Sequence, residues 1–304
     1  MLKKISIYII GLLPLSLVAG PFVGELFLFS IFVIFLYYFI KEKLFYLLDS
    51  KLLKVFFLFW IYIVVLSFFA VESYVSLKSS FFYIRFALYT LSIIYLLTLV
   101  NNSIDIIYKI YKYTLIFVIL DSLIQIFFGS DIFGLEPNSR DLMRISGPFG
   151  DEFILGSFLQ KILPVFIYLI LKKHKFEKEI KFFDLTIIIF TFAIIYRSGD
   201  RSALGLIILF SFIFFLINKK LIKKMMLVFL LFTIIASAFS IHNPAIFKRN
   251  FLDTIGQFKG KYYENFLKKE VNETNLNFML FSFDHQTHFS TAFRMFLDKP
   301  IFGH

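Results

Sequence analysis

Residues 184–217 read DLTIIIFTFAIIYRSGDRSALGLIILFSFIFFLI, and this stretch decides the fold class. Two strongly apolar runs flank a short polar segment that contains two arginines and an aspartate. Apolar runs of about 17–23 residues can cross roughly 30 Å of hydrocarbon as α-helices. The pattern therefore predicts two membrane helices joined by a charged turn. Both runs are short, which indicates that they end at a polar pocket rather than in bulk water.

The composition of the whole chain extends this prediction. Of the 304 residues, 59% are hydrophobic, and the mean hydropathy is +0.80. Soluble proteins are closer to half apolar, so we expect an all-α, polytopic helical membrane protein. We predict a transmembrane domain over 1–241 and a large periplasmic loop over 242–304 that is incomplete at its C-terminus. The apolar runs predict about nine spans, at residues 5–20, 22–40, 52–70, 81–100, 106–128, 153–171, 183–196, 203–217 and 225–241.

The distribution of basic residues predicts the orientation of these spans. One set of connections carries seventeen basic residues, all of them lysines: Lys3, Lys4, Lys41, Lys43, Lys51, Lys54, Lys109, Lys112, Lys172, Lys173, Lys175, Lys178, Lys181, Lys219, Lys220, Lys223 and Lys224. The opposite set, with its helix ends, carries six: Lys78, Arg85, Arg140, Arg144, Arg197 and Arg201. Because cytoplasmic connections are enriched in Lys and Arg, the lysine side and the N-terminus are predicted to be cytoplasmic. The orientation of the spans then accounts for the net charge of +11, so we expect no nucleic-acid partner.

The predicted outer face differs from the inner face in the kind of basic residue. Five of its six basic residues are arginines, whereas the inner connections use lysine throughout. A guanidinium group is planar and always charged, and it can bind phosphate through two parallel hydrogen bonds. This difference predicts an anionic ligand at the outer face.

Arg197 and Arg201 are the first candidate binding residues. They are four residues apart, so we expect them to share a face if Ser198 or Asp200 begins the next helix. The N–H groups of that helix would then lie beside both guanidinium groups. Such a cluster suits a diphosphate. The alternative is that both arginines anchor the helices at the membrane interface, with Asp200 pairing one of them.

The second candidate is RDLMRISGPFGDEFILGSFLQKILP, residues 140–164, which leads from the outer loop into the sixth predicted span. The glycines and proline at 147–150 predict a tight turn that brings backbone N–H groups close to a ligand, and Arg144 precedes it. Lys161 lies about two turns further on, within an apolar span where an unpaired ammonium group is costly. We predict that Arg144 and Lys161 bind the same diphosphate as the first pair. The alternative for Lys161 is a buried ion pair.

Other polar residues have different expected roles. Arg85 and Asp121 lie in neighbouring predicted spans, and we expect them to pair and fix helix packing. A base that activates a hydroxyl group would be one of the four histidines of the predicted outer side, His242, His285, His288 and His304, or a residue beyond 304. The spacing of His, Asp and Glu matches no metal site, and no nucleotide-binding motif occurs, so we expect neither metal nor cofactor. The chain has no cysteine, which excludes disulfides.

Three stretches together resemble the family of bacterial O-antigen ligases and O-antigen polymerases. They are RISGPFGDEFILGSFLQKILP (144–164), RSGDRSALGLIIL (197–209) and HFSTAFRMFLDKPIFGH (288–304). The resemblance implies a metal-independent, inverting glycosyltransferase of the bacterial inner membrane with its active site at the periplasmic face. The donor would be a glycan on undecaprenyl diphosphate, and the acceptor would be lipid A–core or another glycan.

The resemblance also implies roles for single residues. Arg144 and Arg201 match arginines of the family that bind the diphosphate, and as catalytic residues they would stabilise it as it leaves. The catalytic histidine of the family lies in a later loop motif, which we place beyond His304, so His288 is a secondary candidate for the base.

Several functions are compatible with these features. A ligase transfers a finished glycan to lipid A–core, whereas a polymerase joins lipid-linked repeat units, and both use the same donor. A transporter would bind the anionic lipid without chemistry, although transporters usually show repeat symmetry and interrupted helices near the midplane. The remaining alternative is a structural membrane protein with arginines at the interface.

Overall fold

A computed structural model describes residues 2–137, 144–174, 180–258 and 283–300. All regular structure in these ranges is helical. The α-helices are α1 (Leu2–Val18), α2 (Pro21–Lys41), α3 (Lys51–Ser67), α4 (Ser73–Phe82), α5 (Arg85–Thr98), α6 (Ser103–Phe128), α7 (Leu155–Lys173), α8 (Phe182–Arg197), α9 (Arg201–Ile217), α10 (Ile222–His242), α11 (Pro244–Phe247), α12 (Asp253–Phe258) and α13 (Phe283–Asp298). Short 3₁₀ turns lie at Phe45–Asp49, Gly147–Phe149 and Lys219–Leu221, and a π-helical turn at Lys248–Leu252.

Each of the nine predicted apolar runs coincides with helical structure, which confirms the all-helical fold class. The largest difference concerns the run predicted at 81–100, because the chain turns at residues 83–84, between α4 and α5. The indole N–H of Trp60 donates to the carbonyl groups of Ser80 at 3.1 Å and of Phe81 at 3.3 Å. This contact supplies a donor to carbonyl groups that a helix end leaves without a helical partner.

Within the described residues, five helical segments are long and apolar enough to cross a membrane: Pro21–Lys41, Ser73–Thr98 (α4 and α5 together), Ser103–Phe128, Leu155–Lys173 and Ile222–His242. By length and composition, the chain is a helical membrane protein. The helices α1, α3, α8 and α9 have only 16 or 17 residues. The count of nine spans therefore stays a prediction.

The chain divides into two compact units. The first unit takes the described residues of Met1–Ile10, Glu25–Asn101 and Gln257–His304. The second unit takes those of Gly11–Gly24 and Asn102–Gly256. The predicted domain boundary between residues 241 and 242 separates the membrane spans from the loop that follows them. A division by internal packing does not test this boundary, so it stays a prediction.

The core of the second unit is built around α7 and α8. The fully buried large side chains of α7 include Leu155, Leu159, Leu163, Phe166 and Ile170. Their spacing of three or four residues places them on one face of the helix. Most residues of α8 are buried as well. A helix that is apolar and covered all round belongs to the interior of its unit.

Charged side chains connect α6, α7 and α8 at the ends that carry lysines. The fully buried carboxylate of Asp184 accepts hydrogen bonds from Lys112 Nζ at 2.9 Å and from Tyr108 Oη at 2.7 Å. Lys173 Nζ lies 3.5 Å from the Asp105 carboxylate and 4.1 Å from the centre of the Tyr108 ring. Because the loss of one partner would leave a buried charge uncompensated, this cluster fixes how the three helices pack.

The predicted pairing of Arg85 with Asp121 is wrong. Arg85 lies in the first unit, where its guanidinium group is 3.7 Å from the Glu25 carboxylate. Asp121 is fully buried in the second unit and accepts the backbone N–H of Ile132 at 3.0 Å. The two side chains therefore serve different parts of the fold.

The polar residues of α6 hold the connection that leads to Arg144. Gln125 follows Asp121 by one turn, and its Oε1 accepts the N–H groups of Ser146 at 3.0 Å and Gly147 at 2.8 Å. Both carboxamide and carboxylate are buried. A buried backbone group needs a hydrogen-bond partner, so these side chains hold the described backbone at Ile132 and at Ser146–Gly147.

Candidate functional site

Ser198, Gly199 and Asp200 form the turn between α8 and α9. The sequence predicted that Ser198 or Asp200 begins the next helix. Asp200 is the capping residue of α9, because its Oδ1 accepts the N–H of Ala203 at 3.1 Å. This bond satisfies one of the N–H groups that a helix start leaves unpaired. Gly199 has a φ angle of +67°, a conformation that residues with a Cβ atom adopt only at a cost. The chain therefore ends one helix and starts another within three residues.

Arg144 contacts this turn from 54 residues earlier in the chain. Its Nε donates to the carbonyl group of Ser198 at 3.1 Å, and its Nη2 donates to that of Phe153 at 3.1 Å. The guanidinium group also lies 4.4 Å from the centre of the Phe153 ring, within the range of a cation–π contact. The structure thus brings Arg144 to the turn that separates Arg197 from Arg201.

Two residues that the sequence analysis missed contact the same segment. Arg249 Nε donates to the carbonyl group of Gly199 at 2.9 Å, and Asn250 Nδ2 donates to that of Tyr196 at 2.9 Å. Both residues belong to the π-helical turn that follows α11. The sequence KRN at 248–250 was the only signal for them, and the charge comparison covered only the short connections between spans.

Gly199 allows both contacting arginines to come close. A Cβ atom added to Gly199 would lie 3.1 Å from Cδ of Arg249 and 3.3 Å from Cγ of Arg144. Both distances are shorter than the optimal separation of about 3.5–4.0 Å between carbon atoms. The two arginine side chains therefore pack against one backbone position that has room for hydrogen only.

Asp200 supplies a buried negative charge beside the arginines. Its Oδ2 accepts the hydroxyl group of Ser157 at 2.6 Å, and its Oδ1 accepts that of Ser202 at 2.7 Å. Burial alone would raise the pKa of this carboxyl group. The two hydroxyl groups, the N–H of Ala203 and the charge of Arg144 outweigh burial and hold the pKa below its ordinary value. Asp200 is therefore ionised at neutral pH.

The first turn of α7 packs directly against the α8–α9 turn. A Cβ atom on Gly156 would lie 2.5 Å from Ser198 Oγ and 2.6 Å from Asp200 Cβ. Side chains do not approach each other so closely, so this contact requires glycine at 156. The sequence analysis predicted a glycine-dependent turn at 147–150 but not this contact between helices.

Arg197 and Arg201 lie at the two ends of the turn and are both half-buried. Arg197 is the last residue of α8, where the helix dipole favours a cation, whereas Arg201 is the first residue of α9, where the dipole disfavours one. Their spacing of four residues does not place them on one helical face, because the turn interrupts the helix. An anion near Arg201 would offset the unfavourable term, since helix N–H groups and guanidinium both attract negative charge.

Lys161 lies one turn beyond Ser157 on α7 and lines a cavity of about 510 Å³. The walls of this cavity are mostly apolar and include Leu17, Leu135 and Phe158. Lys161 is exposed, so the buried ion pair considered as its alternative is not formed. Because Ser157 also binds Asp200, the cavity adjoins the α8–α9 turn.

His288, the candidate base, is an exposed residue of α13 and belongs to the first unit. Arg144 and Arg201 belong to the second unit, so the role of His288 as their catalytic partner stays a prediction. Arg140 and His304 lie outside the described residues.

The site as a whole is cationic. Four arginines lie at or contact the segment from Tyr196 to Arg201, which has one buried carboxylate, that of Asp200. Among the residues that the structure describes, no group of three or more acidic or histidine side chains could hold a metal ion. A cluster of guanidinium groups suits a phosphate or carboxylate ligand rather than a cation.

Comparison with models of known protein families, with curated proteins and with solved structures gives no match. The resemblance to the O-antigen ligase and polymerase family therefore stays a prediction.

Proposed function

We propose that the protein is a membrane glycosyltransferase of the O-antigen ligase type, which transfers a glycan from undecaprenyl diphosphate to a lipid A–core acceptor in lipopolysaccharide biosynthesis. The observation that carries the proposal is the contact of Arg144 with the turn between Arg197 and Arg201. These arginines come from two of the three stretches that resemble the family, and they are distant in sequence. A shared ligand gives a reason for their proximity.

The diphosphate of the donor would bind the guanidinium groups at this turn. A guanidinium group has five N–H donors, so it can bond a backbone carbonyl group and a phosphate oxygen at the same time. The bonds of Arg144 to the carbonyl groups of Ser198 and Phe153 fix its position before any ligand arrives. Cations that are already in place stabilise the charge that develops on a leaving diphosphate without reorganisation.

The proposed reaction is an inverting displacement at the anomeric carbon. A hydroxyl group of the acceptor attacks this carbon while the bond to the diphosphate oxygen breaks, and a base removes the hydroxyl proton. The proposed base is a histidine beyond residue 304, and His288 is the secondary candidate. The arginines would neutralise the leaving group, so the proposal requires no metal ion.

The cavity that Lys161 lines is the proposed location for the lipid end of the donor. Ligand pockets are typically about 300–1,000 Å³ and mostly apolar, and a cavity of about 510 Å³ with Lys161 at its surface fits this description. The apolar walls suit an isoprenoid chain. The ammonium group of Lys161 would contact the phosphate that is attached to it.

We further propose nine spans in the bacterial inner membrane, with a cytoplasmic N-terminus and a periplasmic active site. The alternation of lysine-rich connections supports this orientation. A topology reporter fused after Gly199 should be periplasmic, and one fused after Lys220 should be cytoplasmic. The opposite pattern would reverse the whole arrangement.

Direct binding of undecaprenyl diphosphate to the purified protein tests the site. Because a hydrogen bond to a charged group contributes about 1.5–3 kcal/mol, we expect Arg201→Ala to weaken binding at least tenfold. Arg85→Ala is the matched control, since Arg85 pairs with Glu25 in the first unit and should not affect binding. Equal affinities of the wild type and Arg201→Ala would reject the proposed site.

The acceptor distinguishes the related functions. Transfer to lipid A–core by the full-length protein supports a ligase, whereas elongation of a lipid-linked repeat unit supports a polymerase. Binding of the donor with no transfer to either acceptor, together with movement of the donor across a vesicle membrane, would instead support an anionic-lipid transporter.

A further inference from the structure

The first unit contains a groove between α3 and α5. Its volume is about 500 Å³, and it is lined by five residues between 52 and 59 of α3 and five residues between 86 and 94 of α5, with Ser50 at one end. The lining residues repeat every three or four positions on each helix. At 1.5 Å per residue these stripes are roughly 10–12 Å long. The groove is therefore an elongated trough rather than a compact pocket.

The walls of this groove are almost entirely apolar. Among the described residues that line it, Ser50 and Thr90 are the two with polar side chains. The hydroxyl group of Thr90 donates to the carbonyl group of Phe86 at 2.7 Å, so it is satisfied within its own helix. Leu53 and Ala87 are buried and form the floor of the groove. Leu52 and Ile94 are largely exposed and form its edges. Such a surface suits a linear hydrocarbon chain.

One end of the groove is basic. Lys51 and Lys54 lie in the first turn of α3, next to Ser50, and both are exposed. Lys54 is 3.1 Å from the Asp49 carboxylate, but the side chains are 60% and 80% exposed, so this ion pair contributes little. The positive end of the α3 dipole adds to the potential of the two lysines. The groove thus combines an apolar length with a cationic end.

We propose that this groove binds one acyl chain of an anionic phospholipid, with the phosphate of the headgroup against Lys51 and Lys54. Helix α5 is part of the apolar, membrane-length segment Ser73–Thr98, and α3 is one of the nine proposed spans, so hydrocarbon rather than water would surround the groove. Lysines near a membrane surface favour anionic over zwitterionic lipid by about fivefold each. With Asp49 opposing one of them, we expect a preference of about tenfold. This site is independent of the proposed glycosyltransferase activity.

Native mass spectrometry of the full chain tests the proposal. Delipidated protein is given phosphatidylglycerol and phosphatidylcholine with identical acyl chains, and the retained lipid is counted. We expect about tenfold more phosphatidylglycerol on the wild type. Combined Lys51→Gln and Lys54→Gln should abolish this preference, and Thr90→Phe, which fills the exposed groove, should reduce retention of both lipids at least fivefold.

Two substitutions serve as matched controls. Lys223→Gln removes an exposed lysine of the second unit, and Thr98→Phe adds the same ring at an exposed position of α5 outside the groove. Both should leave retention unchanged. Equal retention of the two lipids by the wild type would overturn the proposal. A second outcome would also overturn it: the wild type retains neither lipid and forms a dimer, and Thr90→Phe abolishes that dimer. A second copy of the chain would then occupy the groove. If Thr90→Phe does not fold, the exposed lysine substitutions decide the question alone.

Discussion

Replacing Gly199 with alanine tests whether ligand binding depends on the geometry of the α8–α9 turn. Gly199 has a φ angle of +67°, and a residue with a Cβ atom in this conformation costs about 1–2 kcal/mol of folding free energy. The new Cβ atom would also lie 3.1 Å from Arg249 and 3.3 Å from Arg144. Both side chains would have to move by a few tenths of an ångström. We therefore expect a loss of stability together with a displacement of two guanidinium groups.

Gly129→Ala separates these two effects. Gly129 has a φ angle of +85°, and no described atom lies within 4 Å of a Cβ atom added there. It carries the backbone cost without contact to any arginine. Both variants should lower the thermal unfolding midpoint in detergent by a similar amount. Only Gly199→Ala should weaken binding of undecaprenyl diphosphate, by about tenfold or about 1.4 kcal/mol.

Equal affinities of Gly199→Ala and Gly129→Ala would refute this reasoning, because displaced arginines could then not matter for the ligand. Arg144→Ala shows which step has failed. If Arg144→Ala also binds normally, the diphosphate does not bind at this cluster. If Arg144→Ala binds weakly, the cluster is correct and tolerates the shift caused by alanine.

Three further predictions concern charge. Lys112→Met leaves the buried carboxylate of Asp184 without its cation and should cost about 3–5 kcal/mol of stability, whereas Lys109→Met at an exposed position should leave the unfolding midpoint unchanged. Because the pKa of Asp200 is lowered on folding, its stabilising contribution is present above about pH 4 and is lost as the pH falls through the lowered value. Asp200→Asn should flatten that acidic part of the stability profile, and an unchanged profile would contradict the assignment. Glycan transfer by the full-length protein should not respond to EDTA, and a loss of activity that Mg²⁺ restores would show that a metal takes part.

Local patterns in the sequence predicted the helices and the cap between α8 and α9. Membrane-length helices follow from hydropathy because the lipid environment requires long apolar runs with all backbone groups paired. The sequence left Ser198 and Asp200 open as the residue that begins α9, and Asp200 is the cap because it lies three residues before Ala203, whose N–H it accepts. Both features depend on residues that are neighbours in the chain, so a single sequence contains the necessary information.

Contacts between distant residues were harder to predict. Arg249 meets Gly199 across 50 positions, and this contact depends on how the short helices after α10 fold back onto the turn. The pairing of Arg85 with Asp121 was wrong because similar predicted depth does not determine which helices are neighbours. The close approach of Gly156 to Ser198 likewise depends on the packing of α7 against the turn. None of these contacts has a signature in local residue spacing.

The end of α8 gives a physical reason why stability and ligand binding should be coupled at this site. A helix leaves its last carbonyl groups without helical partners, and here the residues that carry them are buried away from water. These carbonyl groups accept hydrogen bonds from three distant side chains: Arg144, Arg249 and Asn250. Two of the three donors, Arg144 and Arg249, bring positive charge to this end of α8. Phosphate oxygens form charge-assisted hydrogen bonds with guanidinium groups, so the diphosphate that the cluster is proposed to bind should also raise the unfolding midpoint of the protein.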